Sequence, residues 1–254
     1  MSQPPTAAIL IIGNEILSGR TQDVNVQFIA QRLAALGIKL QEVRVIPDVP
    51  ARIIGAVNEL RAAYDQLFTT GGIGPTHDDI TSESIAAAFG VPWEHQAETF
   101  GLMAAQLGEN FNPARQRMAT MPRGARPIHN SASLAPGFSV GNVHVMAGVP
   151  RIMRAMFLAL EPELPRGAPI LMRTVYGIGV QEGAIAAGLE AIQQRYPALD
   201  LGSYPFRRDE GWGVAIVAKG TDAPAIDAAI AQAEALIAAQ HVTPVRGEPE
   251  MEGK

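Results

Sequence analysis

Up to Thr70 the chain alternates between extended and helical patterns, with three extended stretches separated by two helical ones. Ala7 to Ile12 is a continuous apolar run. A strand with no polar alternation is buried on both faces, and that requires helices on both sides of a sheet. Val24, Phe28, Ile29, Leu33 and Leu36 then recur at helical spacing, and Gly37 stops that helix. Lys39 to Ile46 alternates as a strand does. Asp48 precedes a second helix, with Pro50 near its start and Ile53, Val57, Leu60 and Tyr64 on one face. Gln66 to Thr70 is a short third strand, broken by Gly71 and Gly72. Strands alternating with helices predict a parallel sheet with right-handed crossovers.

Further along, helices are expected over Thr81 to Phe89 and Glu94 to Leu107. Asn110 to Gly137 is rich in Pro, Gly, Asn and Arg, and reads as irregular with a short helix around Ala114 to Thr120. Val143 to Ala147 is another apolar strand, followed by a helix from Arg151 to Leu160. Glu161 to Gly167 holds two prolines and a glycine and reads as a linker. The expected domains are therefore 1–165 and 166–254. The second reads β-α-β-β-α, with strands near Ile170 to Tyr176, Leu199 to Tyr204 and Gly213 to Lys219. Its helices lie near Glu182 to Tyr196 and Ala223 to Ala239, and His241 to Lys254 reads as a tail.

Composition removes several function classes. None of the 254 residues is cysteine, so disulfides, thiolate zinc sites and thiol nucleophiles are excluded. The net charge of −5 argues against a nucleic-acid partner. Arg115, Arg117, Arg123 and Arg126 are the one grouping of basic residues, and read as a solvated patch. No stretch reaches the roughly 18 apolar residues of a membrane helix. No basic region precedes the first apolar run, so a secretory leader is not expected and the cytoplasm is. The histidines lack metal-ligand spacing, and neither G-x-S-x-G nor H-E-x-x-H occurs.

The sharpest local signal is Thr69-Thr70-Gly71-Gly72-Ile73-Gly74-Pro75-Thr76-His77-Asp78-Asp79, between a strand and a helix. Its glycines allow close approach of a ligand, and free N–H groups suit a phosphate. A tight turn would also need glycine. The loop lies at the carboxyl end of a parallel strand, where α/β ligands bind. Asp78 and Asp79 would hold a divalent cation or activate water, or else cap the next helix. Gly13-Asn14-Glu15-Ile16-Leu17-Ser18-Gly19 follows the first strand, and Asn25 starts the next helix. Asp48 follows the second strand, and reads as either a helix cap or a site residue. Acids after three strands of one sheet fall on one edge, which suits a metal-phosphate site. Asn130, Ser131 and Ser133, and Gly148-Val149-Pro150-Arg151, read by spacing alone as turns.

Together, Gly13 to Gly19, Asn25, Pro47-Asp48, Thr70 to Asp79, Asn130 to Phe138 and Gly148-Val149-Pro150 resemble the MoaB/Mog (molybdopterin-binding) domain. The variant is similar to the N-terminal part of the CinA (competence/damage-inducible protein A) family, over about Ala7 to Leu160. Tyr176-Gly177-Ile178-Gly179 and Leu201-Gly202-Ser203-Tyr204-Pro205 resemble the small KH-type domain that follows in that family. Val180-Gln181-Glu182 departs from the family's Gly-Ile-Gly-Glu-Ser. No counterpart of the family's C-terminal nicotinamide-mononucleotide deamidase domain is present, so that activity is not expected. The resemblance implies a three-layer α/β/α domain with a mostly parallel sheet, followed by a small α+β KH-like domain.

By the same resemblance, the chain is expected to be a metal-dependent pyrophosphatase on ADP-ribose-like nucleotides, using Mg²⁺ or a similar ion. Asp48 and Asp79 would be catalytic, and Asp78 and Asp79 would hold the metal. Gly13, Asn14, Glu15, Asn25, Thr70, Gly71, Gly72, Gly74, Pro75, Thr76, Ser133 and Gly148 would bind ligand and phosphate. The alternatives are molybdopterin binding or adenylylation, and a non-catalytic nucleotide-binding module. The partners implied are a small-molecule nucleotide or pterin and further copies of the chain, with no membrane. Gly177-Ile178-Gly179 lacks the flanking basic residues of an RNA-binding loop, so RNA is not expected.

Overall fold

The computed structural model describes residues 4–249 and divides into two compact units, 1–167 and 168–254. The first unit is built on a six-stranded sheet of order β2-β1-β3-β8-β7-β6. Its strands are β1 (Thr6–Ile12), β2 (Lys39–Ile46), β3 (Gln66–Thr70), β6 (Arg126–Ile128), β7 (Gly137–Val140) and β8 (Val143–Met146). The helices are α1 (Asn14–Leu17), α2 (Asn25–Ala35), α3 (Pro50–Ala63), α4 (Thr81–Phe89), α5 (Ala97–Leu107), α6 (Pro113–Gln116) and α7 (Pro150–Leu160). A separate two-stranded sheet joins β4 (Trp93–His95) to β5 (Thr120–Pro122). β2, β1, β3 and β8 pair in parallel, whereas β6, β7 and β8 pair antiparallel.

The apolar run of β1 feeds two cores. Ala7, Ile9 and Ile11 pack with Ile29 and Leu33 of α2 and Met153 and Phe157 of α7. Ala8, Leu10 and Ile12 pack with Ile53, Val57 and Leu60 of α3 and Ile85 of α4. Opposite faces of one strand thus meet helices on opposite sides, which is the three-layer arrangement.

Four details depart from the sequence reading. The helix expected from Glu94 begins at Ala97, because Glu94 and His95 pair with Met121 and Thr120. The stretch 110–137, read as irregular, contributes β5 and β6 and the start of β7. These three- and four-residue strands are too short to show a period, and Pro122 and Pro127 lie within them. The first-strand loop folds into α1, a single turn. The tail contributes β12 (Val245–Arg246), which pairs with Tyr176 and Val175.

The second unit holds an antiparallel sheet of order β10-β11-β9-β12. Its remaining elements are β9 (Leu171–Ile178), α8 (Glu182–Arg195), β10 (Asp200–Arg208), β11 (Gly211–Gly220) and α9 (Ala223–Ala238). Val175, Val214, Ile216 and Ala218 face Ile185 and Ile192 of α8 and Ile226, Ile230 and Ile237 of α9. This is a small α+β unit. Among the described residues no helix is long and apolar enough to cross a membrane.

Candidate functional site

The four parallel strands all end at one edge of the sheet, and each is followed by residues singled out in the sequence. β1 leads to Gly13, Asn14 and Glu15, β2 to Asp48, β3 to Gly71–Asp79, and β8 to Gly148. Backbone bonds tie these loops together. The Gly13 N–H donates to Ile46 O at 3.2 Å, Gly71 N–H to Met146 O at 3.1 Å, and Thr81 N–H to Gly72 O at 3.0 Å. The Asn25 amide nitrogen donates to Gly148 O at 2.8 Å from a side chain only 4% exposed.

The glycine loop cannot carry side chains where it turns. Gly71 and Gly72 have φ of +103° and +67°. A Cβ on Gly71 would lie 2.1 Å from Ile12 O, and one on Gly72 would lie 2.2 Å from Thr81 Oγ1. On Gly74 it would meet Asp79 Oδ2 at 2.6 Å. The loop is therefore bare backbone on the inside of a turn, the geometry that lets N–H groups reach a phosphate.

Above it lies a cleft of about 390 Å³. Gly71, Gly72, Gly74, Pro75, Asp79, Glu15, Ser133 and Gly148 line it together with Ile73, Met118, Ala135, Pro136, Ala147, Val149, Ile152 and Met156. A smaller pocket of about 60 Å³ adjoins it, sharing Glu15, Gly71 and Gly148 and adding Asn25 and Thr70. Eight of the residues named from sequence thus line the main cleft, and two more line the adjoining pocket.

Gly13, Asn14, Asp48, Thr76 and Asp78 line neither pocket. Asp48 accepts the Asn14 N–H through Oδ2 at 2.8 Å. It does not cap α3, whose N-cap is Val49 with no side-chain bond. Asp79 does not cap α4, whose N-cap is Ile80. Instead Asp79 Oδ2 accepts both the backbone N–H and the hydroxyl of Thr76, at 2.8 and 2.5 Å. The cap alternatives for both acids are therefore not what the structure shows. Asp78 is exposed and does not line the cleft. The Thr76 hydroxyl and Asp78's own backbone N–H hold its carboxyl below the usual range. The single hydroxyl proton points at Asp79, where the geometry is direct.

Ser133 is positioned by Asn130, whose Oδ1 accepts the Ala132 and Ser133 N–H groups at 3.0 and 2.7 Å. Met118, Ile152 and Met156 form an apolar wall that motif reading did not find. Ile152 and Met156 are four residues apart on the inner face of α7, which helical spacing could have shown. Met118 lies in the short 3-10 turn after α6, with no pattern to mark it.

The chain matches a family described as a probable molybdopterin binding domain over residues 8–166. It also matches the FAD synthase middle domain over residues 169–246. A CinA-like protein of Parasynechococcus marenigrum is 40% identical over 167 residues, which cover 62% of this chain and 40% of that protein. A probable FAD synthase of Caenorhabditis elegans is 34% identical over 186 residues, covering 65% of this chain and 36% of that protein. Both relatives are therefore much longer than the part that this chain matches. The crystal structure of CinA from Thermoplasma acidophilum superposes with a TM-score of 0.60 at 32% identity, over 64% of this chain and 99% of that one. The chain belongs to the probable molybdopterin-binding domain family, as a MoaB/Mog-like member of the CinA type.

Proposed function

We propose that the cleft binds the pyrophosphate of a dinucleotide such as ADP-ribose or FAD and hydrolyses it with the help of a divalent metal. The observation that carries this reading is a bare glycine backbone that lines one cleft together with two carboxylates, Glu15 and Asp79. Phosphate and carboxylates repel unless a cation lies between them. Among the described residues no group of three or more His, Asp or Glu is placed to hold a metal by itself. Mg²⁺ is commonly held by one or two carboxylates plus the substrate's phosphates. The donor set therefore fits a metal that enters with the nucleotide, held by Asp79 and Glu15 rather than by Asp78 and Asp79. When bound, the metal would offset the charge building on the phosphoryl oxygens.

The chain's own groups supply the rest. Gly72 and Gly74 offer backbone N–H groups to the phosphates, while the Gly71 N–H is held by Met146 O and fixes the loop's start. A water oxygen attacks one phosphorus, the bridging P–O bond breaks, and two phosphomonoesters leave. A cleft carboxylate takes the proton from the water. Asp79, oriented by Thr76, is assigned that role. Asp48 acts at one remove, by fixing the turn that carries Glu15.

The test is AMP release from ADP-ribose and FAD with Mg²⁺, Mn²⁺ or Co²⁺. Asp79→Asn is expected to lower the rate on the order of a hundredfold with the fold intact. Failure of every dinucleotide with every metal would remove the pyrophosphatase reading.

A second reading is molybdopterin binding or adenylylation. The family description favours it, and so does the wall of Ile73, Met118, Ile152 and Met156, which suits a planar ring. Turnover of ATP only in the presence of a pterin would select it.

A further inference from the structure

Three of the four arginines grouped in the sequence are engaged away from the glycine loop. Arg115 Nη1 donates to Asn110 O at 2.9 Å, Arg123 pairs with Glu94 at 2.8 Å, and Arg126 pairs with Glu163. Arg117 is different. Its Nη2 donates to the backbone carbonyl of Asp79 at 3.2 Å. Its guanidinium carbon lies 5.1 Å from the centroid of the Trp93 ring. Its Nε is buried and has no hydrogen-bond partner among the protein's described residues.

Trp93 is itself fixed. Its Nε1 donates to Ser82 Oγ at 2.9 Å and to Thr120 O at 3.0 Å, and Ser82 lies in the first turn of α4, just after the glycine loop. The far end of that loop is therefore gripped twice at one residue. Thr76 holds the Asp79 carboxylate, and Arg117 holds the Asp79 peptide.

We infer that Arg117 is a positioning residue that fixes the Asp79 peptide so that the Asp79 carboxylate faces the cleft. For its effect on turnover the inference rests on the proposed function; for its effect on the loop it does not. Lysine is not an adequate replacement, since its compact ammonium lacks the planar fork with which a guanidinium can stay over a ring and donate to a carbonyl at once.

The test compares the full chain with Arg117→Lys and Arg117→Met by amide hydrogen exchange, thermal unfolding, and kcat and KM for ADP-ribose with Mn²⁺. Both variants are expected to speed exchange at residues 76–80, with protection of α4 and the Tm little changed. The kcat is expected to fall about tenfold or more, with KM within about twofold. Unchanged exchange at residues 76–80 in both variants would overturn the inference. So would faster exchange with unchanged kcat. Arg117→Lys keeps a cation and an apolar stem, so it decides the matter if Arg117→Met does not fold. If the native chain turns over no dinucleotide, the pyrophosphatase reading fails separately. The exchange data then stand alone: lost protection supports the clamp, and retained protection overturns it.

Discussion

Two glycines of the first unit should respond oppositely to the same substitution. Gly71 has φ of +103°, and a Cβ would lie 2.1 Å from Ile12 O. Gly71→Ala is expected to destabilise the fold by on the order of 2–4 kcal/mol, from the backbone conformation and the clash together. Gly55 lies inside α3 with nothing within 4 Å of a built Cβ. Gly55→Ala should stabilise by about 0.5–1 kcal/mol, through helix propensity. Urea unfolding of both variants checks the pair.

His144 supplies a pH dependence. It is 6% exposed, Nε2 meets Gln66 Oε1 at 2.8 Å, and Nδ1 meets the Ser139 hydroxyl at 2.9 Å. With Nε2 donating to the carbonyl of Gln66, Nδ1 accepts from Ser139, and the ring is neutral. Burial first, and the Arg126 charge second, push its pKa from 6.5 down to about 4. The unfolded chain therefore takes up a proton between those values while the native chain does not. Stability from this group is complete above pH 6.5 and is lost as the pH falls towards 4. The loss is on the order of 3 kcal/mol across that window. His144→Gln should flatten this part of the stability–pH curve, as urea midpoints at several pH values would show.

Among the elements, Asp48 separates a cap from a tether. A cap would stabilise α3, but its carboxylate instead holds the Asn14 N–H. Asp48→Ala should therefore cost about 1 kcal/mol and speed amide exchange in α1 rather than at the start of α3. How much of the fold was legible follows from element length. The regular elements around β1, β2 and β3 announced themselves, because long apolar periods reflect burial against many neighbours. β4, β5 and β6 did not, since three residues hold no period and their pairing depends on partners far along the chain. The glycine loop was legible because its backbone conformation demands glycine. The tie from Arg117 to Asp79 was not, because nothing in the order of residues places position 117 beside position 79.

For the whole molecule, each unit has its own core, and every residue of the cleft lies in the first. A fragment of residues 1–167 is expected to fold cooperatively and to bind ADP-ribose with Mn²⁺ within a few-fold of the full chain. Circular dichroism and calorimetric titration check this. The central claim is that phosphate, metal and carboxylate meet over the glycine loop. Its most direct test is a crystal structure with Mn²⁺ and the methylene analogue of ADP-ribose, whose bridging carbon cannot be cleaved. The account predicts an anomalous peak for Mn²⁺ in contact with Asp79 and the bisphosphonate, with the phosphoryl oxygens over Gly71–Gly74. The analogue seated elsewhere, or at the glycine loop with Mn²⁺ away from Asp79, would contradict it.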